Sequence, residues 1–132
     1  MTDRAAESRP RPQVTHAAGR DEFRMSSERD GDTHTIRLFG ELDLATVDAV
    51  QHELERVEDS DAPSILVDLS GLAFMDSSGV RLLVGAHARS RTDADRLTLL
   101  RGSAAVQRVL EVSGLDDQLP FADPPEPRPR GR

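Results

Sequence analysis

The chemistry most readily read from this chain lies in four residues, Asp76-Ser77-Ser78-Gly79. They sit where an expected strand hands over to an expected helix. Before them, Ile65, Leu66, Val67 and Leu69 form an apolar, β-rich run, the pattern of a strand buried on both faces in a parallel sheet. Gly71 is expected to end that run, leaving a polar, exposed turn from Gly71 to Gly79. After them, Val80, Leu83, Val84 and His87 recur at i, i+3, i+4 and i+7, one stripe of a helix. The first amides of a helix have no intrahelical partner, and a serine side chain can cap them. The same amides and the helix dipole favour an anion. A hydroxyl at this junction can therefore be a cap, or it can accept a phosphoryl group that the helix end then stabilises. The tetrapeptide alone fits both.

No other constellation competes with it. A Ser-His-Asp triad built on Ser77 needs a histidine beside it, and no Gly-x-Ser-x-Gly elbow occurs. His16 falls in the N-terminal tail, His34 and His52 are isolated and expected in solvent, and His87 is expected to pack at the edge of the helix stripe. There is no Gly-rich phosphate loop with a lysine, and the acids lack metal-ligand spacing. The chain is read as a non-enzyme with no cofactor and no metal.

The elements that must hold the junction follow from periodicity. Phe23 to Ser27 is a short candidate strand, Asp30-Gly31-Asp32 a turn, and His34 to Phe39 an alternating strand with Ile36 and Leu38 on one face. Asp43 is a candidate N-cap for an amphipathic helix carrying Leu44, Val47, Val50 or Gln51, Leu54 and Val57. Pro63 closes the next loop. Beyond the central helix, Arg89 to Asp95 is a polar connection and Leu97 to Leu100 a buried strand. Ser103 caps a helix with Val106, Val109 and Leu110 on its apolar face, and Gly114 ends it. Gln118 to Phe121 is too short to assign. A hairpin followed by alternating helix and strand implies an α/β layer with a mainly parallel sheet.

Length and charge bound the rest. A chain of 132 residues supports one domain and one core. It has no cysteine, hence no disulfide framework and no thiolate metal site. It has no run of 18 apolar residues and no signal-peptide apolar region, so a cytoplasmic protein is expected. Residues 1–20 and 123–132 are rich in Pro and Arg and read as disordered tails around a domain at 21–122. That domain carries 10 Arg against 20 acids, a net charge of -10, while the whole chain is at -7. An acidic domain argues against nucleic acid as the partner, and the basic N-terminal tail is expected to be solvated in preference to touching RNA or a membrane surface.

Three segments in order carry a resemblance. Phe74-Met75-Asp76-Ser77-Ser78-Gly79, between a buried strand and an apolar helix, resembles the STAS domain of the anti-sigma-factor antagonists. Gly40-Glu41-Leu42-Asp43 is similar to that family's GELD segment before its first helix, and Ser113-Gly114-Leu115 to its SGL after the last. The resemblance covers roughly residues 21 to 122. It implies a single STAS-like α/β domain: a mainly parallel sheet, an antiparallel first strand and helices packed on it. The first serine of the pair, Ser77, would then be the phosphorylated residue.

By the same resemblance, the unphosphorylated form binds an anti-sigma factor that is also a serine kinase, which frees the sigma factor. Phosphorylation of Ser77 ends that binding and a protein phosphatase resets it. Asp43, Asp76, Ser78 and Gly79 would lie on the partner-facing side, with Asp76 presenting Ser77. Close relatives commonly carry Leu-Gly after Ser-Ser-Gly; this chain has Val80-Arg81. Arg81 is expected in solvent on the first helical turn, able to pair with the phosphate or with acids on the partner. The protein alone is expected to be a monomer. Two alternatives carry the same fold: a STAS scaffold subunit of a signalling assembly, and a small STAS domain binding an anion or nucleotide at the helix end.

Overall fold

The structure, a computed structural model, describes residues 22–122. The expected tails, 1–20 and 123–132, lie outside the described residues. Five strands and three helices follow in the order β1 (Arg24–Asp30), β2 (Thr33–Leu42), α1 (Val47–Glu58), β3 (Ser64–Met75), α2 (Ser77–Arg91), β4 (Leu97–Leu100), α3 (Ala104–Val112) and β5 (Phe121–Ala122). The strands pair in chain order in one sheet, β1 antiparallel to β2 and every later neighbour parallel. This is the expected mixed α/β sheet. The hairpin turns at Gly31, whose φ of 65° is a conformation glycine adopts without penalty.

The sheet buries one face only. On β2, His34, Ile36, Leu38 and Leu42 point inward, and on β3, Ile65, Val67 and Leu69 join them. Val50, Leu54 and Val57 of α1, Leu82, Leu83 and Ala86 of α2, and Val106 and Leu110 of α3 complete the core. The other face stays in contact with solvent. There Arg24 stacks on Phe39 at 4.7 Å, and Arg37 lies 3.7 Å from Asp68 and 3.9 Å from Glu28. The expectation that Ile65 to Leu69 is covered on both sides is thus corrected, because Leu66 and Asp68 are only half-buried.

Gly71 does not end the central strand. β3 continues to Met75, and its register against β2 slips twice, between Arg37 and Phe39 and between Gly40 and Glu41. Each slip adds a residue on β3, as a β-bulge does. The inward positions then fall at Leu69, Leu72 and Met75, every third residue instead of every second. Gly71 is required for closeness: a Cβ there would lie 2.5 Å from the Phe39 ring and 2.7 Å from the Leu38 carbonyl oxygen.

Helix boundaries also move. α1 starts at Val47 with Thr46 at the N-cap position, so Asp43 is not the cap, and Leu44 is 77% exposed instead of packing in the stripe. The inward face of α2 is Gly79, Leu82, Leu83, Ala86 and Ser90; Val84 is 40% exposed, and the helix runs on to Arg91. α3 behaves as read. Ser103 accepts from the Val106 amide at 3.4 Å, and Gly114, at φ 76°, closes the helix with Leu115 N bonded to Leu110 O and Gly114 N to Glu111 O.

Candidate functional site

Two loops meet at the carboxyl ends of β2 and β3, where the last residues of the strands, Leu42 and Met75, stand in register. In open α/β sheets that end of the strands is where ligands and partners are met. Here the Asp76 amide donates to the Leu42 carbonyl at 3.1 Å, which ties the start of α2 to the end of β2.

Asp76 is the N-cap of α2. Its backbone is extended (φ -106°, ψ -169°) and its Oδ1 accepts from Ser78 N at 2.8 Å. Its carbonyl accepts from Gly79 N and Val80 N, the first turn of the helix. The cap is therefore the aspartate and not the serine; a carboxylate there answers both the orphan amide and the dipole. Ser77 is the first helical residue and is exposed, whereas Ser78 is half-buried. Gly79 is buried: a Cβ on it would meet Met75 Cγ at 2.4 Å and Leu42 Cδ2 at 3.0 Å. It brings α2 down onto the strand ends, so its part in the site is packing beneath the two serines.

The Asp43 loop is held by a residue that sequence reasoning passed over. Thr46 is 2% exposed; its hydroxyl donates to the Glu41 carbonyl at 2.9 Å and accepts from the Asp43 amide at 3.0 Å. Asp43 Oδ1 accepts from Ala45 N at 3.0 Å, and its carbonyl accepts from Thr46 N and Val47 N. Asp43 thus organises the turn before α1. The spacing Asp43-x-x-Thr46 was the available signal, since short polar side chains two or three residues apart close such turns.

Between α1 and α2 runs an open groove of about 300 Å³, lined on one side by Leu44, Asp48 and Gln51 and on the other by Ser78, Arg81 and Arg89. Arg89 is tied to Glu58 by two bonds of 3.0 Å. Arg81 is exposed and makes no ion pair or hydrogen bond among the described residues. Ser77, Arg81, Val84 and Ala88 are all exposed and form one stripe of α2 at helical spacing. The structure therefore brings Asp43, Asp76, Ser77, Ser78 and Arg81 to one end and one side of the molecule, with Gly79 beneath them.

At the opposite end of β2 a second polar cluster corrects another expectation. His34 is not solvated but 7% exposed, and Nε2 lies 2.7 Å from Ser27 Oγ. The Ser27 hydroxyl has one proton and gives it to Glu53 Oε2, so Nε2–H of His34 is the donor to Oγ. Arg56 holds the Glu53 carboxylate from the outside at 2.6 and 3.0 Å. Burial, then the Arg56 charge, lowers the His34 pKa below its ordinary value; the bond from Arg56 is the main cause that lowers that of Glu53. The signal was present in the sequence: His34 shares the inward parity of Ile36 and Leu38. Among the described residues no group of acids and histidines is placed to hold a metal ion, and no helix is long and apolar enough to cross a membrane.

The mixed sheet with its antiparallel first strand and three helices on one face, with a serine pair at the start of α2, defines a small α/β domain. Residues 25–121 match the family model described as Mlab, STAS domain, and the chain belongs to that family. It is 38% identical over 85 residues to the anti-sigma F factor antagonist of Lysinibacillus sphaericus, covering 64% of this chain and 73% of the relative. Its fold is similar to that of the anti-sigma factor antagonist SpoIIAA in its unphosphorylated form (TM-score 0.65, 33% identity, 77% of this chain and 89% of that one). It is also similar to the Bacillus cell fate determinant SpoIIAA in the phosphorylated form, with a TM-score of 0.60, 33% identity, and 77% and 92% of the two chains covered.

Proposed function

We propose that this protein is an anti-sigma-factor antagonist that works by partner switching, with Ser77 as the switched residue. Unphosphorylated, it binds an anti-sigma factor that has serine kinase activity, and the sigma factor is released. The kinase transfers the γ-phosphoryl group of ATP to Ser77: a bond forms from Ser77 Oγ to the γ-phosphorus, the bond to ADP breaks, and the hydroxyl proton passes to a base of the kinase. A phosphatase hydrolyses the ester and resets the domain. The chain's role is that of a regulatory binding protein, in keeping with relatives named as antagonists.

The observation that carries the reading is the placement of Ser77. It is exposed as the first residue of α2, on a platform fixed by the Asp76 cap and the bond from Asp76 N to Leu42 O. Exposure favours Ser77 over Ser78, which is half-buried with its amide engaged by Asp76. Ser77 lies within the helix as its first residue, because Asp76 takes the cap position. Phosphorylation adds about -1.5 to -2 charge and three acceptor oxygens. The helix end tolerates that charge internally, while a partner packed on Ser77 would have to desolvate it. A thousandfold loss of affinity needs about 4 kcal/mol, within the range for taking a charge out of water inside an interface.

Incubation with ATP and the cognate kinase should add one phosphate to wild type and to Ser78→Ala, and none to Ser77→Ala. Ser77→Ala should stay bound to the anti-sigma factor, and Ser77→Asp should bind weakly. A phosphate mapped to Ser78 would refute the site. If no bound kinase phosphorylates either serine, the switch fails and the scaffold or anion-binding alternatives take its place.

A further inference from the structure

We infer that Arg81 is the internal counter-ion of the phosphoryl group on Ser77. The inference rests on the phosphorylation of Ser77 proposed above and concerns what the rest of the chain does with the charge once it arrives.

Three observations lead there. Ser77 and Arg81 are four residues apart on α2, both exposed, so their side chains are neighbours on one stripe. The order is the favourable one, with the anion N-terminal to the cation. Arg81 has no ion-pair or hydrogen-bond partner among the described residues of the unphosphorylated chain, although a carboxylate, Asp48, lines the same groove from α1. The remaining cation of the groove, Arg89, is already engaged by Glu58 two turns further along. A guanidinium presents a fork of donors that fits two phosphate oxygens at once. In the unphosphorylated state that fork is available to the surface a partner must cover. After phosphorylation it is turned back onto the chain's own phosphate, so the partner loses a cation where it also meets an added anion.

The charged groups around the phosphate are few. Asp76 precedes it, but its carboxylate is bound to Ser78 N. Asp43 stands on the neighbouring loop with its carboxylate on Ala45 N, and Asp48 and Arg89 lie along the groove. All of these remain when Arg81 is changed, so the substitution isolates one pair.

The test uses the full chain with phosphoserine placed at position 77 by genetic encoding, and follows the phosphate by 31P NMR as pH is varied. A cation paired with the dianion lowers the second ionisation of the phosphate. In Arg81→Gln that ionisation should rise by about 0.3 pH units relative to the wild-type sequence, the scale of a helical ion pair acting on the one charge gained in that step. Arg81→Lys should recover part of the shift, and about 1 M salt should erase the difference. Identical titrations with and without the Arg81→Gln substitution would overturn the inference. Because the phosphate is installed without a kinase, the two readings fail separately. A chain that no kinase modifies would remove the proposed switch and leave the titration result standing, whereas equal titrations would remove Arg81's role and leave the switch intact.

Discussion

Replacing Asp76 by alanine removes two stabilising effects at one point. The first is the cap bond from Ser78 N to Asp76 Oδ1, 2.8 Å long. Losing an N-cap of this kind costs about 1 kcal/mol, within a range of about 0.5–2. The second is the attraction between a carboxylate and the positive end of the α2 dipole, about 0.3–1 kcal/mol at a surface site. α2 has no other acid in its first turn to compensate. Asp76→Ala should therefore lose about 1.5 kcal/mol, and for a domain of this size about 6–12 °C in Tm. Asp76→Asn keeps the acceptor oxygen and loses only the charge, so its loss should be about a third of that. Thermal melting followed by circular dichroism, with urea unfolding at fixed temperature, measures both. Hydrogen exchange should show faster opening at Ser78 in the alanine variant alone. An alanine variant melting within a degree of wild type would refute the capping argument. Equal losses in the two variants would mean that charge, and not the hydrogen bond, fixes the start of α2.

Other outcomes follow from the same geometry. Gly40→Ala should destabilise the fold by more than about 3 kcal/mol, measured by urea unfolding, because a Cβ there would stand 2.3 Å from the Glu22 backbone oxygen at a φ of 91°. Gly114→Ala meets open space at φ 76° and should cost only about 1 kcal/mol. Arg96→Met should cost about 2–4 kcal/mol, since the guanidinium donates to the Ala62, Glu58 and Ser60 carbonyls at 2.9 Å each. Stability should fall on acidification in two stages. His34 is held below its ordinary pKa of 6.5, so the unfolded chain takes up its proton first and stability is lost as pH drops below about 6.5; Glu53, also lowered, adds its loss below about 4.5. His34→Gln should flatten the first stage in a series of melts from about pH 7.5 to about pH 5, and an unchanged slope would refute His34 as its source.

The elements whose side chains follow a simple period were legible in the sequence. Leu97 to Leu100, the Ile36–Leu38 face and α3 with Ser103 and Gly114 at its ends all lie where residue types and spacing put them. The site was legible as a junction, because a strand pattern gives way to a helix pattern across Asp76 to Gly79. What escaped depends on contacts that no local window contains. β3 crosses Gly71 because two bulges change its inward period from two to three, and the reason for the glycine is the Phe39 ring on the neighbouring strand. Leu44 carries the apolar character of a helix stripe yet lies in the turn closed by Thr46, and α2 is rotated so that Gly79 and Ala86, not Val84, face inward. His34 has the residue type of a surface position and the parity of a core one. In each case tertiary packing overrode a local preference.

The exposed stripe of α2 has a consequence for how such a protein can diverge. Ser77, Arg81, Val84 and Ala88 are exposed, while the residues that hold the helix in place, Gly79, Leu82, Leu83 and Ala86, are on its other side. Substitutions on the stripe change what a partner meets at almost no expense in folding free energy, since surface changes away from caps and core stay within about 0.5 kcal/mol. Duplicated copies in one genome could thus drift apart in partner choice while keeping an identical scaffold. Position 84 is the natural place for that drift to begin, two helical turns from the serine, exposed and outside both the cap and the core.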